Sequence, residues 1–363
     1  MASGAVDSGS IPLGSVQCKG GCMQSVIVII VILLLCSLFF LRSELEKRSL
    51  SVEHYHITTD KDIRLGEAGT DAAKTGAEGP EAAATDAGNR GTTENDSAHR
   101  GTAKSGTGRG FFRLVFLTDL HDASFGEHNS RLLDKIDELA PDAVIIGGDM
   151  LNCSKKGEDA PDTEVPLELI RALAAKYRLF IGEGNHETRM EYRFPAEYKD
   201  YRKSLEEAGA VYLKNASACL KEGICVSAVS LDAEYIKHLK PGIDRRIPMP
   251  PEYLKNKLAC PDADAFSILM LHSPLYLKNA EAWGADLVLS GHFHGGTIRL
   301  PIIGGLMTPQ YQFFVKECAG FFTYGKCSMA VSRGLGTHTI NIRFNNRPEI
   351  TVADIMSSKS TKV

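Results

Sequence analysis

Basic residues do not outnumber acidic ones in this 363-residue chain: 41 Lys and Arg stand against 45 Asp and Glu, a formal net charge of -4. Nucleic-acid-binding domains ordinarily carry a basic stripe, so DNA and RNA are discounted as structural partners. Cysteine is sparse and irregular, at positions 18, 22, 36, 153, 219, 225, 260, 318 and 327. That spacing matches neither a disulfide scaffold nor a zinc ribbon, and the thiols read as small buried or idle side chains. In an oxidising compartment Cys219 with Cys225, and Cys318 with Cys327, can each close a small loop. Cys18 and Cys22 precede an apolar segment and are candidates for acylation. Internal repeats are absent. Residues 64–110 have almost no large apolar side chains and are mostly Gly, Ala, Thr, Asp and Glu, a composition that cannot bury a core and reads as a flexible linker or insertion.

Charge is missing altogether from residues 23–41, MQSVIVIIVILLLCSLFFL, and about 19 apolar residues suffice to cross a bilayer core. A cleaved signal peptide is the competing reading, but no Ala-x-Ala-like site follows before Arg42-Ser43-Glu44. The segment is therefore expected to be an uncleaved single-pass anchor, after an N-terminal tail of residues 1–22. Lys19 precedes it while Arg42, Lys47 and Arg48 follow, a weak bias toward holding the C-terminal side in the cytoplasm that leaves the orientation open. Sequons at Asn95, Asn152 and Asn215 matter only in a glycosylating compartment. Residues 42–63 form a juxtamembrane segment with one alternating stretch, SVEHYHITTDKDI, in which His54 and His56 read as surface strand residues.

From Phe111 onward the texture becomes short β-branched runs alternating with amphipathic helices. Residues 112–117 and 143–146 read as buried strands. Between them Asn129 or Ser130 caps a helix carrying Leu132, Leu133, Ile136 and Leu139, stopped by Pro141. A second helix carries Leu167, Ile170, Leu173 and Tyr177, and a third carries Tyr198, Tyr201 and Leu205. Such alternation implies βαβ units and a sheet covered on both faces. Beyond strands 266–271 and 287–289 the helices fade, and segments 310–314, 320–324, 328–331 and 349–352 read as an antiparallel sheet. The expected fold class is α/β: a two-sheet αββα sandwich over residues 111–355, followed by a short tail, 356–363.

Polar residues able to bind metal recur wherever an expected core strand stops. Asp119-Leu120-His121 follows the first strand, Gly147-Gly148-Asp149 the second and Gly184-Asn185-His186-Glu187 the third; His272 and Gly291-His292-Phe293-His294 follow two later ones. Each cluster alone is compatible with an ordinary turn. Five in succession point to convergence, because ligands in α/β sheets bind outside the carboxyl ends of the strands. Imidazole and carboxylate without thiolate argue against a structural zinc site and suit Zn, Fe or Mn. A carboxylate bridging two cations roughly 3.5 to 4 Å apart would allow a bridging water to attack as hydroxide. Two divalent ions offset by two carboxylates and one hydroxide leave about one positive charge, which suits a phosphate anion.

Asp-x-His, Gly-Asp, Gly-Asn-His-Glu, a later His and Gly-His-x-His together resemble the calcineurin-like metallophosphoesterase superfamily. DLHDASFG, GGDM, GNHE, SRGLG and IRFNNRPEI, with the anchor, resemble its membrane-associated bacterial members, known as phosphodiesterases or lipid A precursor pyrophosphatases. The resemblance implies that Asp119, His121, Asp149 and His294 hold one ion, and that Asp149 bridges to a second held by Asn185, His272 and His292. It implies that His186 is the proton donor to the leaving oxygen or a clamp on the phosphate. Many members carry Asp where this chain has Glu187, whose expected role is to orient His186, with a structural salt bridge as the alternative. Arg189, Arg193 and Arg333 are either solvated surface residues or phosphate ligands.

The expected function is a membrane-anchored, dinuclear metal-dependent phosphodiesterase or pyrophosphatase, acting on a substrate that the anchor suggests is lipid-linked or part of the envelope. A metallo-β-lactamase-type hydrolase also uses His-x-His, but normally follows it with Asp-His, where this chain has Gly295-Gly296. An anchored binding or scaffold protein with an inactive metal site is the non-enzymatic alternative. It would be expected to have lost a ligand, and none is missing.

Overall fold

The computed structural model describes residues 20–65, 74–75, 109–153, 159–236, 247–309, 311–337 and 340–359. Cys18, Asn95 and most of the expected linker lie outside them. Two compact units are present, residues 1–42 and 43–363. The first contains most of helix α1 (Gly20–Lys47). Among the described residues, α1 is the one helix long and apolar enough to cross a membrane.

The strands of the second unit are, in chain order, β1 (Ser51–Thr59), β2 (Lys74–Thr75), β3 (Phe112–Leu117), β4 (Ala143–Ile146), β5 (Leu179–Ile181), β6 (Val211–Tyr212), β7 (Ala216–Cys219) and β8 (Ile224–Val229). They continue as β9 (Phe266–Leu271), β10 (Leu287–Ser290), β11 (Arg299–Leu300), β12 (Gly304–Gly305), β13 (Gly320–Tyr324), β14 (Cys327–Val331) and β15 (Glu349–Ser357). Two sheets result, ordered β1-β15-β3-β4-β5-β6 and β13-β14-β10-β9-β8-β7-β2, with β11 and β12 pairing apart.

Period-two alternation makes the layers. In β3, Val115 and Leu117 enter the core shared with α2 (Ser130–Leu139), α3 (Glu164–Ala174) and α5 (Pro195–Glu207), while Phe112, Leu114 and Phe116 point toward the other sheet. Strand β9 does the same from its side. Ile268 and Met270 meet the first sheet's inner face, whereas Leu269 and Leu271 pack outward with Tyr276 and Trp283. Each such side chain contributes roughly 1.5–3 kcal/mol on full burial. Helix, sheet, sheet and helix thus stack as an α/β sandwich.

Several local expectations are corrected. The C-terminal third is not one antiparallel sheet: β13 pairs antiparallel with β14, but β14 runs parallel to β10, and β15 crosses into the first sheet between β1 and β3. Position 310 is outside the described residues, and the segment after it makes only the isolated Met307–Phe313 bridge. A helix, Leu277–Trp283, joins β9 to β10, and beyond β10 the described residues contain no further α-helix. Strands β7 and β8 went unread, and they are joined by a Cys219–Cys225 disulfide between directly opposed positions. Cys318 and Cys327, read as a possible second pair, are free and buried.

Candidate active site

All five polar clusters leave the carboxyl ends of parallel strands, but from both sheets. Strands β3, β4 and β5 supply Asp119 with His121, Asp149, and Asn185 with His186; β9 and β10 supply His272, and His292 with His294. The crevice is therefore formed where the strand ends of two sheets meet, not along a single sheet edge.

The turns that carry these side chains are tight. Asp119, His121, Asp149, His292 and His294 all have φ between 46° and 69°, a conformation costing a non-glycine residue on the order of 1–3 kcal/mol and characteristic of functional sites. Glycine answers the crowding beside them. Gly148 has φ +90°, and a Cβ there would lie 2.0 Å from the Gly184 nitrogen; a Cβ on Gly291 would lie 2.2 Å from Asp119 Oδ2. Backbone bonds lock the turns together, with Asp119 N–H donating to Gly148 O and His121 N–H to Asp149 O.

The structure brings six of the seven expected ligands, with His186, into three overlapping groups whose donor atoms lie within 4.8 Å of one another: Asp119, His121 and His294; His121, Asp149 and His186; Asp149, His272 and His292. All seven of these side chains are buried. Asn185, the remaining ligand, opens helix α4 (Asn185–Arg193), next to the His186 N–H that donates to Asp149 Oδ1 at 2.7 Å.

These residues fit metal. Asn185 Oδ1 is buried with no hydrogen-bond partner. His272 and His294 each turn Nδ1 to a backbone carbonyl, Gly147 O at 3.0 Å and Gly336 O at 3.2 Å. That arrangement fixes the tautomer and leaves Nε2 as the ligating atom. His121 Nε2 and His294 Nε2 stand 3.1 Å apart, and His272 Nε2 lies 3.1 Å from Asp149 Oδ2. Such density of acceptors in a buried space calls for cations.

Electrostatics follow the crowding. Burial and the neighbouring Asp149 push the Asp119 carboxyl up to about 6, against His272 and the His292 N–H. For Asp149, burial is outweighed by His272, His186 and His121, which hold it well below the usual carboxylate range. Burial alone would lower His272, but Asp149 raises it to about 10.

The structure gives partners to the remaining residues singled out in the sequence. Glu187 accepts three backbone N–H bonds, from Asp149 and Met150 at 2.8 Å and Gly184 at 2.9 Å, so its carboxylate clamps two ligand-bearing turns. Arg333 is neither solvated nor free for phosphate, because Glu349 holds it at 2.7 Å and Glu53 at 2.6 Å. Arg189 is partly buried, bonded to Cys153 O and 3.5 Å from His186 Nδ1. Arg193 lies over the Phe194 ring.

Two further residues support the site although the sequence assigned them no role. Fully buried Arg343 donates to the carbonyls of Arg333, Gly334 and Gly336, and Gly336 O is the acceptor that positions His294. Asn346 Nδ2 donates to His294 O at 2.7 Å. Both lie within IRFNNRPEI, a stretch that carries the resemblance without assigning either side chain a role, so it is their partners that reveal what they do.

Comparison with known proteins agrees with this geometry. A family model described as calcineurin-like phosphoesterase matches residues 112–296, just over half the chain. The metallophosphoesterase YkuE of Bacillus subtilis is 28% identical over 255 residues, covering 68% of this chain and 80% of that protein. Phosphodiesterase YaeI of Escherichia coli is 26% identical over 253 residues, 68% of this chain and 82% of its own. A zebrafish protein named as a transmembrane protein with a metallophosphoesterase domain is 26% identical over 252 residues, 66% of this chain and 52% of that protein. With a buried Asp/His cluster suited to divalent metal at the strand ends of a two-sheet fold, the chain belongs to the calcineurin-like phosphoesterase family.

Proposed function

We propose that this protein is a membrane-anchored phosphoesterase that holds two divalent cations, Mn, Fe or Zn, and cleaves phosphodiester or pyrophosphate bonds. The observation that carries the reading is a pair of donor groups, Asp119/His121/His294 and Asp149/His272/His292, linked through the contacts of His121 and His272 with Asp149. Asp149, which belongs to two of the three overlapping donor groups, would be shared between the two cations, and Asn185 would complete the second set. Cations held there would supply Lewis acidity toward the phosphoryl oxygens and toward water.

The remaining work falls to the chain. As an imidazolium His186 would give its Nε2 proton to the leaving oxygen, and the neutral ring left behind could accept at Nδ1 from Arg189, 3.5 Å away. The His292 N–H, 3.0 and 3.1 Å from the two Asp119 oxygens, fixes that carboxylate's orientation. The apolar part of α1, residues 24–41, forms the bilayer span, supported by its length and apolar character. A lipid-linked or envelope phosphoester is the substrate class such tethering favours, and the phosphodiesterase relative supports diester cleavage.

Asp149→Asn is expected to abolish both metal retention and hydrolysis of bis(p-nitrophenyl) phosphate. His186→Ala should retain metal by elemental analysis while losing about 10²- to 10⁴-fold in kcat, more on alkyl esters than on nitrophenyl esters. Wild-type turnover by Asp149→Asn would remove the proposal.

A further inference from the structure

We infer that the β11–β12 hairpin tip and the loop after it form a second membrane contact, which holds the entrance of the active site against a lipid bilayer. The inference rests on α1 being a bilayer span.

Soluble surfaces rarely gather large apolar side chains. Here Ile302 is fully exposed and Ile303, Phe314, Phe313, Tyr311 and Ile340 are 60, 58, 44, 39 and 36% exposed. Most of the exposed large apolar side chains beyond α1, among the described residues, belong to this group. Ile302, Tyr311 and Phe314 also have φ of 70°, 59° and 56°, values that β-branched and bulky residues rarely adopt. Glycine or asparagine would serve a turn better, so the bulk has a use other than the turn itself.

Backbone links join the patch to the end of α1. Phe314 N–H donates to Leu306 O, Leu306 N–H to Ile298 O, and Arg299 N–H to Phe344 O. The same 340–346 segment receives the helix end: Ser43 Oγ accepts from Arg343 N–H at 3.0 Å, Glu46 from Asn346 N–H at 3.0 Å, and Lys47 Nζ donates to Asn341 Oδ1 at 3.0 Å. The apolar run ends at Leu41, two Cα steps of about 3.8 Å from Ser43. Chain connectivity therefore ends the proposed span within two residues of Ser43, which this segment binds.

The ligand His294 lies beside it. Asn346 bonds both Glu46 and the His294 carbonyl, and one cavity is lined by His294, Met307, Tyr311, Ile340 and Arg343. Aromatic and aliphatic side chains at such a face insert into the boundary between headgroups and acyl chains. A phosphoester could then reach the metal ligands while its apolar part stayed in the bilayer.

Trp283, the chain's one tryptophan, is buried, so an added tryptophan reports on its own surroundings. The full chain carrying Ile303→Trp is reconstituted in phosphatidylethanolamine/phosphatidylglycerol vesicles containing brominated phosphatidylcholine, with Asp62→Trp as control. Asp62 lies beyond the far end of β1, whose nine residues extend roughly 30 Å from Ser51. The expected result is a blue-shifted emission at position 303 that loses most of its intensity to bromine, with position 62 unaffected. An unquenched 303 probe in protein that floats with the vesicles overturns the inference, and a blue shift without quenching overturns it in favour of a protein partner. Protein that does not float overturns the span on which it rests. Hydrolysis of bis(p-nitrophenyl) phosphate by the same preparation separates each outcome from failure of the catalytic proposal.

Discussion

Glu187 is adjacent to His186 in sequence, yet its carboxylate grips backbone N–H groups of the turns that carry Asp149 and Asn185. Burial, together with repulsion from Asp149, raises its pKa to about 7 despite those three donors, a sign of how closely the acidic groups are packed. Glutamine at this position keeps one acceptor oxygen but sets an NH₂ against at least one backbone donor. Glu187→Gln is accordingly expected to weaken metal binding or activity by about 10- to 100-fold, the usual consequence of losing an outer partner of a metal site. Titration of metal into stripped protein measures it, and an unchanged affinity would show that the clamp is dispensable. Nothing in the pattern Asn-His-Glu announces the Asp149 and Met150 partners, because those two bonds run to main chain nearly forty positions away.

At the scale of elements, the parallel strands are the device that gathers the ligands, while the β7–β8 hairpin bears on the compartment. Cys219 and Cys225 face each other across that pair and are bonded. Disulfides persist where thiols are kept oxidised. The weak charge bias, by contrast, would hold residues beyond α1 in the cytoplasm, and one contributor, Lys47, is engaged locally with Glu44 and Asn341. The disulfide is the stronger indicator, and the catalytic unit is predicted to face the oxidising side. Alkylation trapping on intact cells should find Cys219 and Cys225 oxidised and the exposed thiol of Cys260 labelled. A reduced 219/225 pair would reverse the assignment.

For the whole molecule, the concentration of buried charge couples folding to metal and to pH. In metal-stripped protein Asp119 and Asp122 are raised from 3.8 to about 6 and Glu187 from 4.5 to about 7, so the folded state binds more protons than the unfolded state as pH rises through that range. Stability must then fall with rising pH. His272, raised from 6.5 to about 10, contributes stability below 6.5 that is lost as pH rises through 10, which has the same sign. Asp149, held below 3.8, acts only at more acid pH. The Tm of chelated protein is predicted to fall from pH 4.5 to pH 10, and added divalent cation should recover most at the alkaline end. A chelated Tm that climbs across this window would contradict that balance. Thermal melts with and without chelator decide it.

The long apolar helix, the amphipathic helices and the polar cluster after each core strand were legible in the sequence because each is written in a few consecutive residues, as hydropathy, periodicity or a short spacing. Even Asp119, His121, Asp149, Asn185, His186, His272, His292 and His294 are recognisable on those terms. Only the tertiary structure decided that the clusters come from two sheets, that β15 returns to pair with β3, that Arg333 is held by Glu53 and Glu349, and that Arg343 and Asn346 support His294. The reason is range: strand partners and buried hydrogen bonds join residues tens to hundreds of positions apart, and packing chooses them through shape and satisfied polar groups, which no local pattern records.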